Sequence, residues 1–227
     1  MEQLTFELAA AEPPSFGNFL AGRNAEAVAQ LEQAALGRVR ETGIVVWGAA
    51  GSGRTHLLRA AVAAAALRRP ATYWSGPGAV TSVAPEPGAW VAIDDVETAD
   101  SQAQGRLFTL FNHLQQTGGQ MLAAAAMPPA RLPLRDDLRT RLGWGLVYEL
   151  LPLADADKPQ ALVRYAQERG FRLGDDVIGH LLSHGRRDMT TLMGTLAALD
   201  RYSLASKRPI TLPLLREWLQ RGLPLDP

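Results

Sequence analysis

Apolar residues along this chain follow two rhythms. Five short apolar runs, at 44–47, 72–74, 89–93, 120–126 and 147–150, lie between Gly-, Pro- and Asp-containing breaks and predict buried strands. Between them, apolar positions recur every three or four residues. Val28, Leu31, Ala34 and Ala35 give a helix over 25–38, with Asn24 placed to cap it. An alanine-rich helix runs from 55 to 69 and stops before Pro70. Leu107, Phe108, Leu110, Phe111 and Leu114 give one buried face to a helix over 101–116, and Gly118-Gly119 ends it. A short basic helix is expected at 135–142.

Strands alternating with helices predict a parallel sheet covered on both sides, a three-layer α/β domain with five strands. After Leu151-Pro152 the short runs cease, and helices are expected at about 155–169, 175–184, 188–205 and 211–221, most of them capped by Asp or Thr. The chain therefore divides into an extended tail at 1–12, an α/β domain at 13–152 and a small all-helical domain at 153–227. In the tail, Leu4, Phe6 and Leu8 alternate with polar residues, and Gln3 offers an amide that both donates and accepts. Such a segment either docks in a partner's groove or adds an edge strand to its own sheet.

The first strand leads into Gly48-Ala49-Ala50-Gly51-Ser52-Gly53-Arg54-Thr55. Strand, glycine-rich turn and helix are the setting of a phosphate-binding loop, in which bare N–H groups and a helix N-terminus face an anion. Gly48, Gly53 and Thr55 match that pattern, Gly51 adds freedom, and Ala50 and Ser52 complete the turn. Arg54 stands where the pattern has lysine, and its planar fork does not replace a compact ammonium. His56, on the first turn of the helix, faces either a phosphate or base, or a partly buried surface.

The third strand ends in Asp94-Asp95. At the carboxyl edge of a parallel sheet, beside a phosphate loop, a carboxylate holds Mg²⁺ together with the loop threonine, here Thr55 and Asp94. The fourth strand ends in Ala126-Met127, with no polar side chain to orient a water.

The 227 residues carry 23 basic and 23 acidic side chains, for a formal net charge of zero. Bulk electrostatic capture of nucleic acid does not fit that balance. There is no cysteine, so thiolate metal sites and disulfides are excluded. No zinc site is expected at His113, His180 or His184. Trp47, Trp74 and Trp90 fall in strands and read as core, while Trp144 and Trp218 are candidates for an interface. No leader or membrane-length apolar run is present, and a cytoplasmic protein without membrane contact is expected.

These residues carry a resemblance. The phosphate loop, the Asp94-Asp95 strand, Arg139-Thr140-Arg141 and the helical tail resemble the AAA+ ATPases of the DnaA initiator branch. Gln3 to Leu8, Phe16 to Asn24, Arg141-Leu142-Gly143-Trp144-Gly145, Leu153 to Lys158, Arg187-Asp188-Met189 and Lys207 to Pro213 resemble, within that branch, its regulators of the Hda type. The resemblance implies a AAA+ P-loop domain with a helical lid. It implies a factor that makes DnaA hydrolyse its ATP and so prevents re-initiation. Arg141 matches the family's arginine finger, acting in trans, with Arg135 and Arg139 as its competitors. On the residues alone, Arg141 could instead pair with Asp136 or Asp137.

Gln3, Leu4, Phe6 and Leu8 match a motif that binds the DNA polymerase III beta sliding clamp, so DNA is reached only through the clamp. ADP, with Mg²⁺, is the implied ligand, held by residues 48–56 with Asp94, Asp95 and a lid arginine at Arg187. A homodimer is among the implied assemblies. The chain departs from the pattern at Arg54, at Ala126 and at Thr190, which stands where relatives carry the lid arginine. Arg186 or Arg187 is then the substitute. Three weakened positions argue against an autonomous ATPase or helicase loader. They keep open a degenerate clamp adaptor that needs no nucleotide.

Overall fold

The computed structural model describes residues 13–184 and 188–220. It divides into two compact units, one of them Pro13–Pro152 and the other containing residues from Leu153 onward.

In the first unit, β1 (Gly43–Trp47), β2 (Ala71–Trp74), β3 (Trp90–Ile93), β4 (Gln120–Ala125) and β5 (Leu146–Glu149) form one sheet in the order β2-β3-β4-β1-β5. All pairs are parallel, and Ile44 stands opposite Leu122 on one side and Leu146 on the other. β3 and β4 are buried along their whole length, which is why they read as unbroken apolar runs.

Successive residues still serve opposite layers. Ile44, Val46, Trp90, Ala92 and Leu122 pack with Leu31 of α1 (Ala25–Ala35) and with Leu57 and Leu58 of α2 (Arg54–Ala66). Val45, Val91, Ile93, Met121 and Ala123 pack with Leu107, Leu110 and Leu114 of α3 (Ser101–Thr117) and with Leu138 and Leu142 of α4 (Asp136–Gly143). The sheet is the middle of three layers. Asp100 caps α3 by accepting from the Ala103 N–H, and Gly118, at φ 71°, closes it.

Several expectations need correction. Asn24 does not cap α1, because a 3₁₀ turn (Gly22–Asn24) leads into the helix. Its amide instead clips the backbone of Leu151: Nδ2 donates to the Leu151 carbonyl and Oδ1 accepts from the Leu151 N–H, each at 2.8 Å. Phe108 is only half-buried, and its ring lies under arginine side chains rather than in the core. Of the strand tryptophans, Trp90 is fully buried, while Trp47 and Trp74 are partly exposed and pack against the core.

The second unit holds α5 (Lys158–Glu168), α6 (Asp175–Ser183), α7 (Met189–Ser206) and α8 (Leu212–Gln220) around Leu162, Val177, Leu196, Leu199, Leu214 and Leu215. Trp218 belongs to this core rather than to an interface. Asp188 caps α7, whereas the residue before α6 is Gly174 and Asp157 makes no side-chain cap on α5. Among the described residues no helix is long and apolar enough to cross a membrane.

Candidate functional site

The loop after β1 leaves the carboxyl edge of the sheet. The Gly48 N–H donates to the Ala125 carbonyl at 3.1 Å, fixing the loop to the end of β4. A Cβ at Gly48 would lie 2.2 Å from the Leu150 carbonyl oxygen, so the close approach of two backbones demands glycine there. Gly51 and Gly53 take φ of 79° and 93°, and the Ser52 N–H closes the turn on the Ala49 carbonyl.

α2 then starts at Arg54 with no side-chain cap, so its first-turn N–H groups are left for another acceptor. Ser52 is buried and its Oγ has no hydrogen-bond partner. A concave turn of donors, a helix N-terminus and an orphaned hydroxyl fit a phosphate group.

The acids of β3 stand beside this loop. Thr55 Oγ1 donates to Asp94 Oδ2 at 2.6 Å, and the Tyr73 hydroxyl donates to the same oxygen at 3.2 Å. Asp94 Oδ1 accepts from the Asp95 N–H, and Asp94 is 3% exposed. A hydroxyl and a buried carboxylate in contact are the oxygen donors that a phosphate-bound Mg²⁺ takes from protein. Asp95 adopts φ 45° in the left-handed region, which turns its side chain toward α2. Burial, and then the charge of Asp94, raises its carboxyl above the usual range.

Arg54 is held by acids. Its Nη2 lies 3.5 Å from Asp95 Oδ1 and its Nη1 3.9 Å from Glu97 Oε1. The same Glu97 oxygen accepts the Ala126 N–H at 2.9 Å. Arg54 Nη1 and Glu97 Oε2 are both buried without a hydrogen-bond partner. Glu97 was not singled out from the sequence. It follows Asp95 by two residues, but its reach to the end of β4 depends on the left-handed turn at Asp95.

His56 faces away from these acids. Its Nε2 is 3.0 Å from the Ser15 carbonyl and its ring tilts against Phe19 at 5.4 Å. Burial lowers its pKa, and the bond to Ser15 opposes that shift.

Arg141 sits at the other end of the sheet. Its carbonyl and the ring of Phe111 both approach Gly43, the first residue of β1, and a Cβ at Gly145 would lie 1.8 Å from the Gly43 carbonyl. The five residues of β1 separate this edge from the phosphate loop, a span of about 13 Å. Arg141 Nε donates to Asn112 Oδ1 at 2.9 Å, and the guanidinium lies over the Phe108 ring at 4.2 Å and near the Trp144 ring at 5.9 Å.

The competing arginines are neutralised: Arg135 pairs with Asp137 at 2.6 Å, and Arg139 pairs with Asp136. Among the described residues Arg141 pairs with no carboxylate. Trp144 next to it is 69% exposed.

Two family profiles match this chain. The one described as the lid domain of Hda covers residues 155–219, and the one described as the bacterial DnaA ATPase domain covers residues 89–149, including Asp94 and Arg141. Both matches, each over less than a third of the chain, support an AAA+ protein of the Hda/DnaA type.

Solved structures agree with that fold. Domain III of the Thermotoga maritima replication initiation protein DnaA is 21% identical at a TM-score of 0.77, covering 91% of this chain and 95% of that one. AMPPCP-bound DnaA from Aquifex aeolicus is 21% identical at 0.68, covering 82% of this chain and 65% of that one. A Thermotoga maritima RuvB variant is 17% identical at 0.69, covering 92% and 72%. This chain thus spans just under two thirds of the Aquifex initiator.

Within the Hda/DnaA-type fold, Gly48, Ala50, Gly51, Ser52, Gly53, Arg54 and Thr55 form the loop, with Asp94 and Asp95 beside it. Gln3, Leu4, Phe6 and Leu8, the lid residues Arg186 and Arg187, and the side chain of Thr190 lie outside the described residues.

Proposed function

We propose that this chain is a regulator of DnaA that carries Arg141 into the nucleotide site of a neighbouring DnaA molecule and accelerates hydrolysis of the ATP held there. One observation carries the reading. Arg141 is on a packed helix at the amino edge of the sheet, away from the chain's own phosphate loop, with its charge on an aromatic ring instead of an acid. A guanidinium placed this way is of no use to its own loop. It is available to a phosphoryl group presented by another molecule, whose spreading negative charge it stabilises. Asn112 and Phe108 hold the side chain, which lowers the entropy lost when it docks.

The chain's own loop binds a nucleotide in this reading, ADP by the family resemblance. The N–H groups at 50–55 would cradle its phosphates, and Thr55 and Asp94 would hold Mg²⁺. The weakened positions at Arg54 and Ala126 fit a structural ligand better than turnover by the chain itself. The tail at Gln3, Leu4, Phe6 and Leu8 brings the protein to the sliding clamp.

The test is single-turnover hydrolysis of DnaA-bound ATP with clamp loaded on DNA. Arg141→Ala should abolish a stimulation of about a thousandfold or more, while Arg135→Ala and Arg139→Ala retain it. A second reading, a clamp adaptor indifferent to nucleotide, draws on the engagement of Arg54 by Asp95 and Glu97. It predicts that Arg141→Ala is tolerated.

A further inference from the structure

α3 has a second polar stripe, on a side that Arg141 does not use. Phe108 and Asn112 turn toward Arg141. Gln102, Arg106, Thr109 and His113 instead line a cleft of about 430 Å³, whose other wall is residues 81–85. That volume is in the range of recognition sites rather than of packing voids. His113 ties the two walls together, because its Nε2 donates to the Pro85 carbonyl at 2.8 Å. Val83, Pro85 and Leu110 add apolar surface, and Val83 is 77% exposed.

Two features define what this cleft accepts. The first is charge. No acid lines it, and among the described residues Arg106 pairs with no carboxylate. The Arg106 Nε is enclosed by protein, which leaves the terminal nitrogens as the accessible donors. A guanidinium held in a partly apolar cleft without a counter-charge favours an incoming carboxylate. The second is backbone. Residues 81–84 belong to no helix or strand, and among the described residues their N–H groups donate to no partner and their carbonyls accept from none. Such a segment offers both halves of a hydrogen-bond ladder to a chain laid beside it. The stripe from Gln102 to His113 runs about 16 Å along α3, the reach of about five extended residues. A compact free acid would satisfy Arg106 and leave the ladder and the apolar surface unused.

We propose that the cleft between α3 and residues 81–85 docks an extended acidic peptide segment of a partner protein, with a carboxylate on Arg106 and the peptide backbone along residues 81–84. Neither the phosphate loop nor Arg141 takes part, so this surface does not depend on the function proposed above.

The experiment is amide chemical-shift mapping on the isotope-labelled full chain, titrated to about 1 mM with the capped peptide acetyl-Leu-Asp-Leu-Asp-Leu-amide. The same peptide with Asn for Asp, free acetate and a single-stranded oligothymidylate are the comparison ligands. The acidic peptide should shift the amides of residues 81–84 and of Gly105, and bind at least about tenfold tighter than the Asn peptide. Arg106→Gln should weaken the acidic peptide about tenfold and leave the Asn peptide within about threefold. Val83→Asp places a repelling charge at a position exposed enough to leave the fold intact, and should weaken the acidic peptide more than the Asn one. Equal binding of the two peptides overturns the proposal, as does no binding of the acidic one. Acetate or the oligonucleotide shifting the same amides as tightly as the acidic peptide overturns it too, and assigns the cleft to a free acid or to nucleic acid.

Discussion

Arg54 and Arg141 belong to helices that pack on opposite faces of the same sheet, and they differ in the company their charges keep. Arg54 lies at the carboxyl edge and faces Asp95 and Glu97, with little exposure. Arg141 lies at the amino edge, on the ring of Phe108 and the amide of Asn112, with no acid paired to it among the described residues. A guanidinium beside carboxylates has already spent its field on its own chain. One resting on an aromatic face keeps its charge for an incoming anion and releases a contact of only about 0.5–2 kcal/mol when it moves. The same residue type thus reads as a contributor to a local charge network in one place and as a reagent for another molecule in the other.

The contrast is most exposed to failure at Arg141. Arg141→Lys keeps the charge and loses the planar fork that spans two phosphoryl oxygens, so stimulation of DnaA-bound ATP hydrolysis should fall about ten- to a hundredfold. Single-turnover rates at saturating protein measure it. A lysine that works as well as arginine would reduce Arg141 to a generic surface cation.

The next effect falls on the loop. Gly48→Ala should cost about 2–4 kcal/mol, because its Cβ meets the Leu150 carbonyl at 2.2 Å and neither backbone yields easily. The melting temperature should drop by roughly 5–15 °C without nucleotide present. An unchanged melting temperature would mean that the glycine serves only the ligand, and that the loop is not held by the sheet.

Much of this architecture was legible in the chain. β3 and β4 are buried on both faces, so Trp90 to Ile93 and Gln120 to Ala125 stood out as apolar runs. The loop was visible because its glycines are local requirements, and the substitution at Arg54 was visible for the same reason. What stayed hidden depends on contacts between distant residues. Asn24 reads as a helix cap, yet its partner is Leu151, 127 positions away. Phe108 falls on the apolar stripe of α3, but the edge of that stripe reaches Arg141 of α4 and Arg135 just before it. Glu97 looks like an ordinary acid after a strand until the left-handed turn at Asp95 brings it to Ala126. Which of Arg135, Arg139 and Arg141 stays unpaired is likewise a matter of side-chain geometry on one short helix.

A smaller effect separates holding from reacting. Asn112→Ala removes the hydrogen bond to Arg141 Nε and leaves the ring beneath it. The guanidinium then has more freedom to lose on docking, and the rate of stimulated hydrolysis should fall only about three- to tenfold, with affinity for DnaA nearly unchanged. A loss as large as that of Arg141→Lys would assign Asn112 a direct contact with the reacting phosphate. No loss would mean that Phe108 alone positions the Arg141 side chain.

The smallest effect belongs to His56, which shares the first turn of α2 with Arg54 yet faces the Ser15 carbonyl and Phe19. Burial lowers its pKa from 6.5, so the folded chain keeps the ring neutral where the unfolded chain takes up a proton. Between the ordinary and the lowered value the unfolded state binds more protons, so stability rises with pH through that window. The stabilisation is full above the ordinary value, declines as pH falls through 6.5, and is gone below the lowered pKa. His56→Gln retains an amide donor for Ser15 and cannot titrate. Melting temperatures between about pH 5 and pH 8 should show a wild-type slope that the variant flattens. If the two slopes coincide, His56 is not held neutral against Ser15. The ring would then be free to turn toward the loop, placing a second cation beside Arg54 and giving the phosphate site a charge that its acids do not already oppose.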